Sequence, residues 1–271
     1  MLGAIIGDIV GSPYEFDQGG KTTDFPLFRC DSDYTDDTLL TLAVGDAVMD
    51  ADGDETHADE LVAASMRHFA RCYPLPKGGF GARFSGWLAD PGSGPYDSFG
   101  NGSAMRVSSV GWLFDTLDET EHWAEITARV THNHPEGIKG AQATAAMIFL
   151  ARTEGGDDAA KARHKAYVER RFGYDLSRTL DDIRPSYRHV ESCQETVPEA
   201  ITAYLESHDF ESAIRLAVSL GGDADTLTAI TGSIAEGAYP IPPSIKDQAL
   251  SRLDDRLLAV LERFWDARAT G

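Results

Sequence analysis

The sequence predicts an all-α protein folded as a single domain. Three observations carry that reading. Apolar residues recur at i, i+3, i+4 and i+7 through most of the chain. Strand-type alternation is nowhere evident. Hydrophobic residues make up 42% of the 271 residues, enough for one large core.

The elements follow in order. Residues 2–11 read as a short buried helix, and Gly3, Gly7 and Gly11 give it a small-residue face for close packing of a neighbour. Residues 36–50 predict a helix with Leu39, Leu40, Ala43, Val44 and Ala47 apolar; residues 56–72 predict another with Leu61, Val62, Met66 and Phe69. Helical periods also fit 103–115, 121–130, 137–152 and 158–171, then 195–206, 209–219, 225–237 and 245–267. The last has Ile245, Leu250, Leu253, Leu257, Val260, Leu261 and Phe264 at helical offsets, a packing role. Residues 73–102 are dense in glycine and proline, and so long an irregular stretch inside a domain is usually functional. Residues 172–194 read as a lid or insertion between helices. There is no internal repeat and no low-complexity tract.

Charge narrows the function. With 44 acids against 24 bases the formal net charge is −20, which repels nucleic-acid phosphates and anionic membranes. An anionic small ligand would need local neutralisation by metal or by backbone amides. Cys30, Cys72 and Cys193 have no paired spacing, which suggests reduced thiols in a cytoplasm. The apolar start lacks a basic region and meets Asp8 early, unlike a signal peptide. No apolar run approaches the ~20 residues that span a bilayer.

Two acid-rich turns, far apart in the chain, carry matching chemistry: Tyr34-Thr35-Asp36-Asp37-Thr38 and Gly221-Gly222-Asp223-Ala224-Asp225-Thr226. Each precedes an apolar helical pattern, so each sets carboxylates and a hydroxyl at a helix start. Thr and Asp are good caps, and first-turn acids suit the helix dipole. One Thr-Asp-Asp is ordinarily a cap. Four acids packed together, however, repel unless a cation neutralises them. Hard dications such as Mg²⁺ want oxygen ligands, and two such turns brought together could hold one or two of them.

Other motifs are weaker alone. The loop from Asp97 through Ser98, Phe99, Gly100, Asn101, Gly102 and Ser103 opens a helix, and its amides could cradle a diphosphate. It matches no Walker or dinucleotide pattern. His132 and His134 lack the partners of a zinc site. Asp31, Asp33 and Thr35 fail as a calcium loop, with Asp36 where glycine belongs and Leu42 where the closing glutamate should be. Glu15, just past the first helix, becomes a candidate general acid or base only if it folds toward the acid turns.

Taken in order, Gly7-Asp8, Gly11-Ser12-Pro13-Tyr14-Glu15, Thr35-Asp36-Asp37-Thr38, Gly100 to Arg106, Thr131-His132 and Gly221 to Thr226 resemble the ADP-ribosylglycohydrolase family, which includes the dinitrogenase-reductase-activating glycohydrolase. The resemblance runs from Gly3 to about Pro242. It implies a compact orthogonal helical bundle and a hydrolase with two Mg²⁺ (or Mn²⁺) ions that removes ADP-ribose from an acceptor. The substrate would be an ADP-ribosylated protein or small molecule, and a cytoplasmic monomer is expected. The resemblance places metal ligands at Glu15, Thr35, Asp36, Asp37, Asp223, Asp225 and Thr226. It gives catalysis to Glu15, Asp36 and Asp225. It gives substrate binding to Asp36, Ser98, Phe99, Gly100, Asn101, Gly102, Ser103 and His132. Phe99 stands where many members have another aromatic, and the segments 73–96 and 172–194 vary widely in the family, so the acceptor stays open. Two other classes compete: a non-catalytic ADP-ribose-binding protein on the same fold, and an unrelated metal-dependent phosphohydrolase.

Overall fold

A computed structural model describes residues 1–270 of the chain. Its centre is a helix pair. Helix α1 (Leu2–Gly11) has every residue buried, and it packs along α13 (Ala224–Ala238). The glycine face predicted for α1 makes this contact possible. A Cβ at Gly3 would lie 2.1 Å from the Gly232 carbonyl oxygen, one at Gly7 2.1 Å from that of Thr228, and one at Gly11 2.4 Å from that of Ala224. No side chain fits there. The pair runs antiparallel, so the end of α1 meets the start of α13.

Around this pair stand α2 (Asp36–Ala51), α3 (Ala58–Cys72), α7 (Leu117–Arg129), α8 (Pro135–Glu154), α9 (Asp158–Phe172), α11 (Cys193–Glu206) and α12 (Phe210–Val218). Local chemistry sets their starts. The Thr35 hydroxyl accepts from the Asp37 amide at 3.1 Å and caps α2. Thr116 caps α7, and Pro135 occupies the first turn of α8 beneath the His134 side chain, which accepts from the Glu136 amide. The apolar faces of these helices join in one core. Among the described residues there is no strand, only isolated bridges between Thr35 and Lys77 and between Gly100 and Ser192. The three cysteines are free.

Two predicted helices are broken. In place of 103–115 stand α5 (Gly102–Met105) and α6 (Val110–Leu113). Between them the buried Arg106 turns inward and donates to the Thr127 carbonyl at 3.2 Å and the Thr131 hydroxyl at 2.8 Å. In place of 245–267 stand α14 (Pro243–Leu250) and α15 (Asp255–Thr270). Asp254 makes that break: its carboxylate accepts from the amides of Arg256 and Leu257, both at 3.0 Å. The irregular segments hold two further helices. One is α4 (Ala82–Ala89); the other is α10 (Leu180–Ile183), fixed by a capping box of Thr179 and Asp182. No helix among the described residues is long and apolar enough to cross a membrane.

Candidate functional site

The two acid turns meet. Both lie on the wall of one cavity of about 330 Å³, at the end of the helix pair where α1 finishes and α13 begins. Asp36, Asp37, Asp223, Asp225 and Thr226 line it together with Glu15. Carboxylate oxygens of Glu15, Asp223 and Asp225 come within 4.8 Å of one another.

The backbone explains how. Gly221 and Gly222, at φ +70° and +76°, take the left-handed turn that swings Asp223 inward before α13 starts. The Asp17 carboxylate accepts from the Gly222 amide at 2.8 Å and the His189 amide at 3.3 Å, tying three segments together at the rim. Phe16 and Asp17, at φ 57° and 58°, are held in strained left-handed conformations beside Glu15.

The carboxylates are incompletely satisfied. Asp223 accepts from the Asn101 side-chain amide at 2.6 Å, and Asp37 accepts from the Thr226 hydroxyl at 3.3 Å. Asp37 Oδ2 and Asp225 Oδ1 are buried without any partner. Burial, and then the Asp225 charge, push the Asp36 and Asp37 carboxyls well above the ordinary range. Burial and the Asp223 charge do the same to Asp225. Asp223 is pushed up to about 6 and Glu15 to about 7, burial leading in both cases. Crowded acids without a cation raise one another in this way. Oxygen donors in this number, with buried orphan oxygens among them, fit a hard dication.

The sequence had singled out Gly7-Asp8 without a role. Asp8 is fully buried, and one carboxylate oxygen accepts from the amides of Thr35 at 2.9 Å and Thr38 at 3.0 Å and from the Thr38 hydroxyl at 2.5 Å. Its other oxygen is a buried orphan. A lone charge inside an otherwise apolar helix was the available signal.

The glycine-rich loop forms the other end of the cavity. Ser98, Gly100, Asn101, Gly102 and His132 line it. Three of the singled-out residues face elsewhere. The Ser103 hydroxyl donates to the Gly137 carbonyl at 2.7 Å, the Phe99 ring lies outside against His134 and is 45% exposed, and the Thr35 hydroxyl serves as a cap. The cradle is also partly occupied. The Gly100 amide donates to Ser98 Oγ at 3.1 Å and the Asn101 amide to the Glu191 carbonyl at 2.7 Å. The Thr131 hydroxyl lies 2.7 Å from His132 Nδ1, and burial with the nearby Arg106 and Arg83 pushes the imidazole well below its usual pKa, so it stays neutral. Arg83, Tyr96, His189 and Glu191 also line the cavity. They come from the irregular segments and were missed.

A model of the ADP-ribosylglycohydrolase family matches residues 1–270. The chain belongs to the ADP-ribosylglycohydrolase family. A protein of Archaeoglobus fulgidus is 34% identical over 173 residues, a match spanning 57% of this chain and 53% of that protein. The ADP-ribosylarginine hydrolase Tri1 of Pseudomonas putida is 28% identical, covering 89% of this chain and 70% of its own length. The ADP-ribosyl-[dinitrogen reductase] glycohydrolase of Rhodospirillum rubrum is 27% identical, covering 98% and 93%. A solved ADP-ribosylglycohydrolase-related protein complex superposes with a TM-score of 0.67 over 99% of this chain and 94% of that one, at 22% identity. That likeness speaks for the fold.

Proposed function

We propose that this family member hydrolyses the bond between the terminal ribose of ADP-ribose and an acceptor, using two Mg²⁺ or Mn²⁺ ions. The carrying observation is the buried Asp37 and Asp225 oxygens left without partners beside the Glu15–Asp223–Asp225 cluster. Asp36, Asp37, Asp223, Asp225, Thr226 and Glu15 would hold the ions, with Thr35 shaping the turn that presents Asp36 and Asp37. When bound, such ions orient ribose hydroxyls and lower the pKa of water from ~15.7 toward ~7.

The chain's own groups would do the rest. Cleavage at ribose passes through an oxocarbenium-like state with charge departing on the acceptor atom. Glu15, on the cavity wall beside these acids, would pass a proton to that atom. Neutral His132 can exchange hydrogen bonds with a ribose or phosphate oxygen without adding charge. Ser98, Gly102 and Asn101 would seat the diphosphate and adjoining ribose, with Phe99 and Ser103 supporting the loop. The amides of Gly102 and Ser103 have no protein acceptor among the described residues. Arginine, serine and other acceptors are all compatible with this reading; the name of the Pseudomonas relative favours arginine.

The test incubates the protein with ADP-ribosyl-arginine and ADP-ribosyl-serine peptides, with and without Mg²⁺. Mg²⁺-dependent release of free ADP-ribose supports the reading. Tight binding without release, or release of phosphate, overturns it.

A further inference from the structure

The carboxylate end of the cavity is strongly anionic, in a chain that already carries a formal charge of −20. An ADP-ribosyl ligand brings two more negative charges on its diphosphate. Basic side chains on the cavity wall are therefore the ones to inspect, and there are four: Arg83, Arg106, His132 and His189.

Three are already enclosed or paired. Arg106 is buried, with one guanidinium nitrogen donating to Thr127 and Thr131 and its Nε without a partner. His132 is held neutral against Thr131. His189 lies 3.2 Å from the Glu191 carboxylate, and its ring sits tilted against Phe16 with centroids 4.9 Å apart. Arg83 differs. It has no carboxylate partner among the described residues, whereas eight of the eighteen arginines pair with acids. One guanidinium nitrogen donates to the Tyr96 carbonyl, and the group lies 5.0 Å from the Tyr96 ring. Its other N–H groups have no acceptor among the described residues. Tyr96 in turn lies 6.0 Å from the His132 ring and donates its amide to Thr131 at 3.2 Å. Arg83 is thus moored beside the Ser98–Gly102 loop, not beside the acids.

Its position does not serve α4. Arg83 stands in the first turn of that helix, where the dipole disfavours a cation, and no acid shares the turn. What it meets is the Tyr96 carbonyl and the cavity it lines.

From this the geometry points to Arg83 as the phosphate-recognition residue of the cavity: its free N–H groups bind the diphosphate of an ADP-ribosyl substrate. This rests on the proposed ADP-ribosyl reading of the site. It also compensates for the two loop amides already spent on Ser98 and Glu191. Guanidinium groups bind phosphate oxygens through paired, charge-assisted hydrogen bonds. Arg83 comes from a segment outside the motifs that marked the family.

The experiment compares wild type, Arg83→Gln and Arg83→Lys, all with Mg²⁺, by calorimetric titration with ADP-ribose and with ADP and by steady-state hydrolysis. The side chain is exposed, so the fold is expected to survive. Arg83→Gln should weaken both ligands by about tenfold to a hundredfold. It should raise KM similarly with kcat within about twofold. Arg83→Lys should recover part of the loss, and wild-type affinity should fall more steeply with salt than that of Arg83→Gln. Normal wild-type hydrolysis with unchanged affinity and KM in Arg83→Gln overturns this assignment alone. ADP-ribose binding that depends on Arg83, without release from any linkage, upholds it and overturns the hydrolase. Wild type that binds no ADP-ribose overturns both.

Discussion

The Thr38 hydroxyl donates to Asp8 at 2.5 Å, so an acid inside α1 fixes the first turn of α2. The same carboxylate oxygen takes the amides of Thr35 and Thr38, and the turn presenting Asp36 and Asp37 hangs from it. Asp8→Ala would orphan buried donors, each costing about 1–3 kcal/mol. We expect a loss of about 2–4 kcal/mol in urea unfolding at pH 5. The loss should be smaller at pH 8, because burial raises the Asp8 pKa to about 6 and its charge is then itself a burden. A variant as stable as wild type at pH 5 would refute the bracing role.

The crowded acids make the metal-free protein sensitive to pH. Asp8 and Asp223 are raised to about 6 and Glu15 to about 7 in the folded state, above their unfolded values. The folded protein therefore holds more protons than the unfolded chain across this range. The stability these groups contribute is fully present below about pH 4 and is lost as pH rises through 6 to 7. In chelator, Tm should fall between pH 5 and pH 7.5. Added Mg²⁺ should raise Tm more at pH 7.5 than at pH 5. A flat profile in chelator would contradict the crowding.

Asp36→Asn and Asp225→Asn should lower turnover by at least about a hundredfold, since even groups behind a ligand commonly cost 10–100-fold in metal affinity or activity. Neither should unfold the protein, because each removes a charge from a repelling cluster. Calorimetric Mg²⁺ titration and ADP-ribose release provide the check. Full activity in either variant would count against metal catalysis there.

Glu15→Gln should slow hydrolysis by about 10²–10⁴-fold, the usual contribution of a positioned acid or base, while ADP-ribose still binds. Single-turnover rates and a binding titration separate the two effects. Equal rates would remove Glu15 from the proton transfer.

Gly7→Ala places a Cβ 2.1 Å from the Thr228 carbonyl oxygen, with backbone on both sides. Overpacking of this kind costs about 1–3 kcal/mol, occasionally more. We expect a drop in denaturation midpoint at the upper end of that range. An unchanged midpoint would mean the helix pair is looser than described.

How much of this was legible depended on locality. The seam between α1 and α13 shows in the four-residue spacing of Gly3, Gly7 and Gly11. The acid turns show because capping chemistry sits beside the helices it starts. The breaks at Arg106 and Asp254 were hidden, since one needs the distant Thr127 and Thr131 and the other reads as a helix interior until its carboxylate caps a new start. In the site, Phe99 and Ser103 face away because side chains along a tight turn cannot all point into one cavity. Arg83 and Glu191 were invisible because their irregular segments reach the cavity through tertiary contacts alone.

The absence of side chains along the α1–α13 seam acts as an alignment gauge. Glu15 follows one helix and Asp225 opens the other, and they share a cavity end because two backbones touch several residues away. Sliding that seam by a single helical turn, about 5.4 Å, would carry their oxygens beyond the span of one ion. The seam glycines thus hold the spacing of the acids.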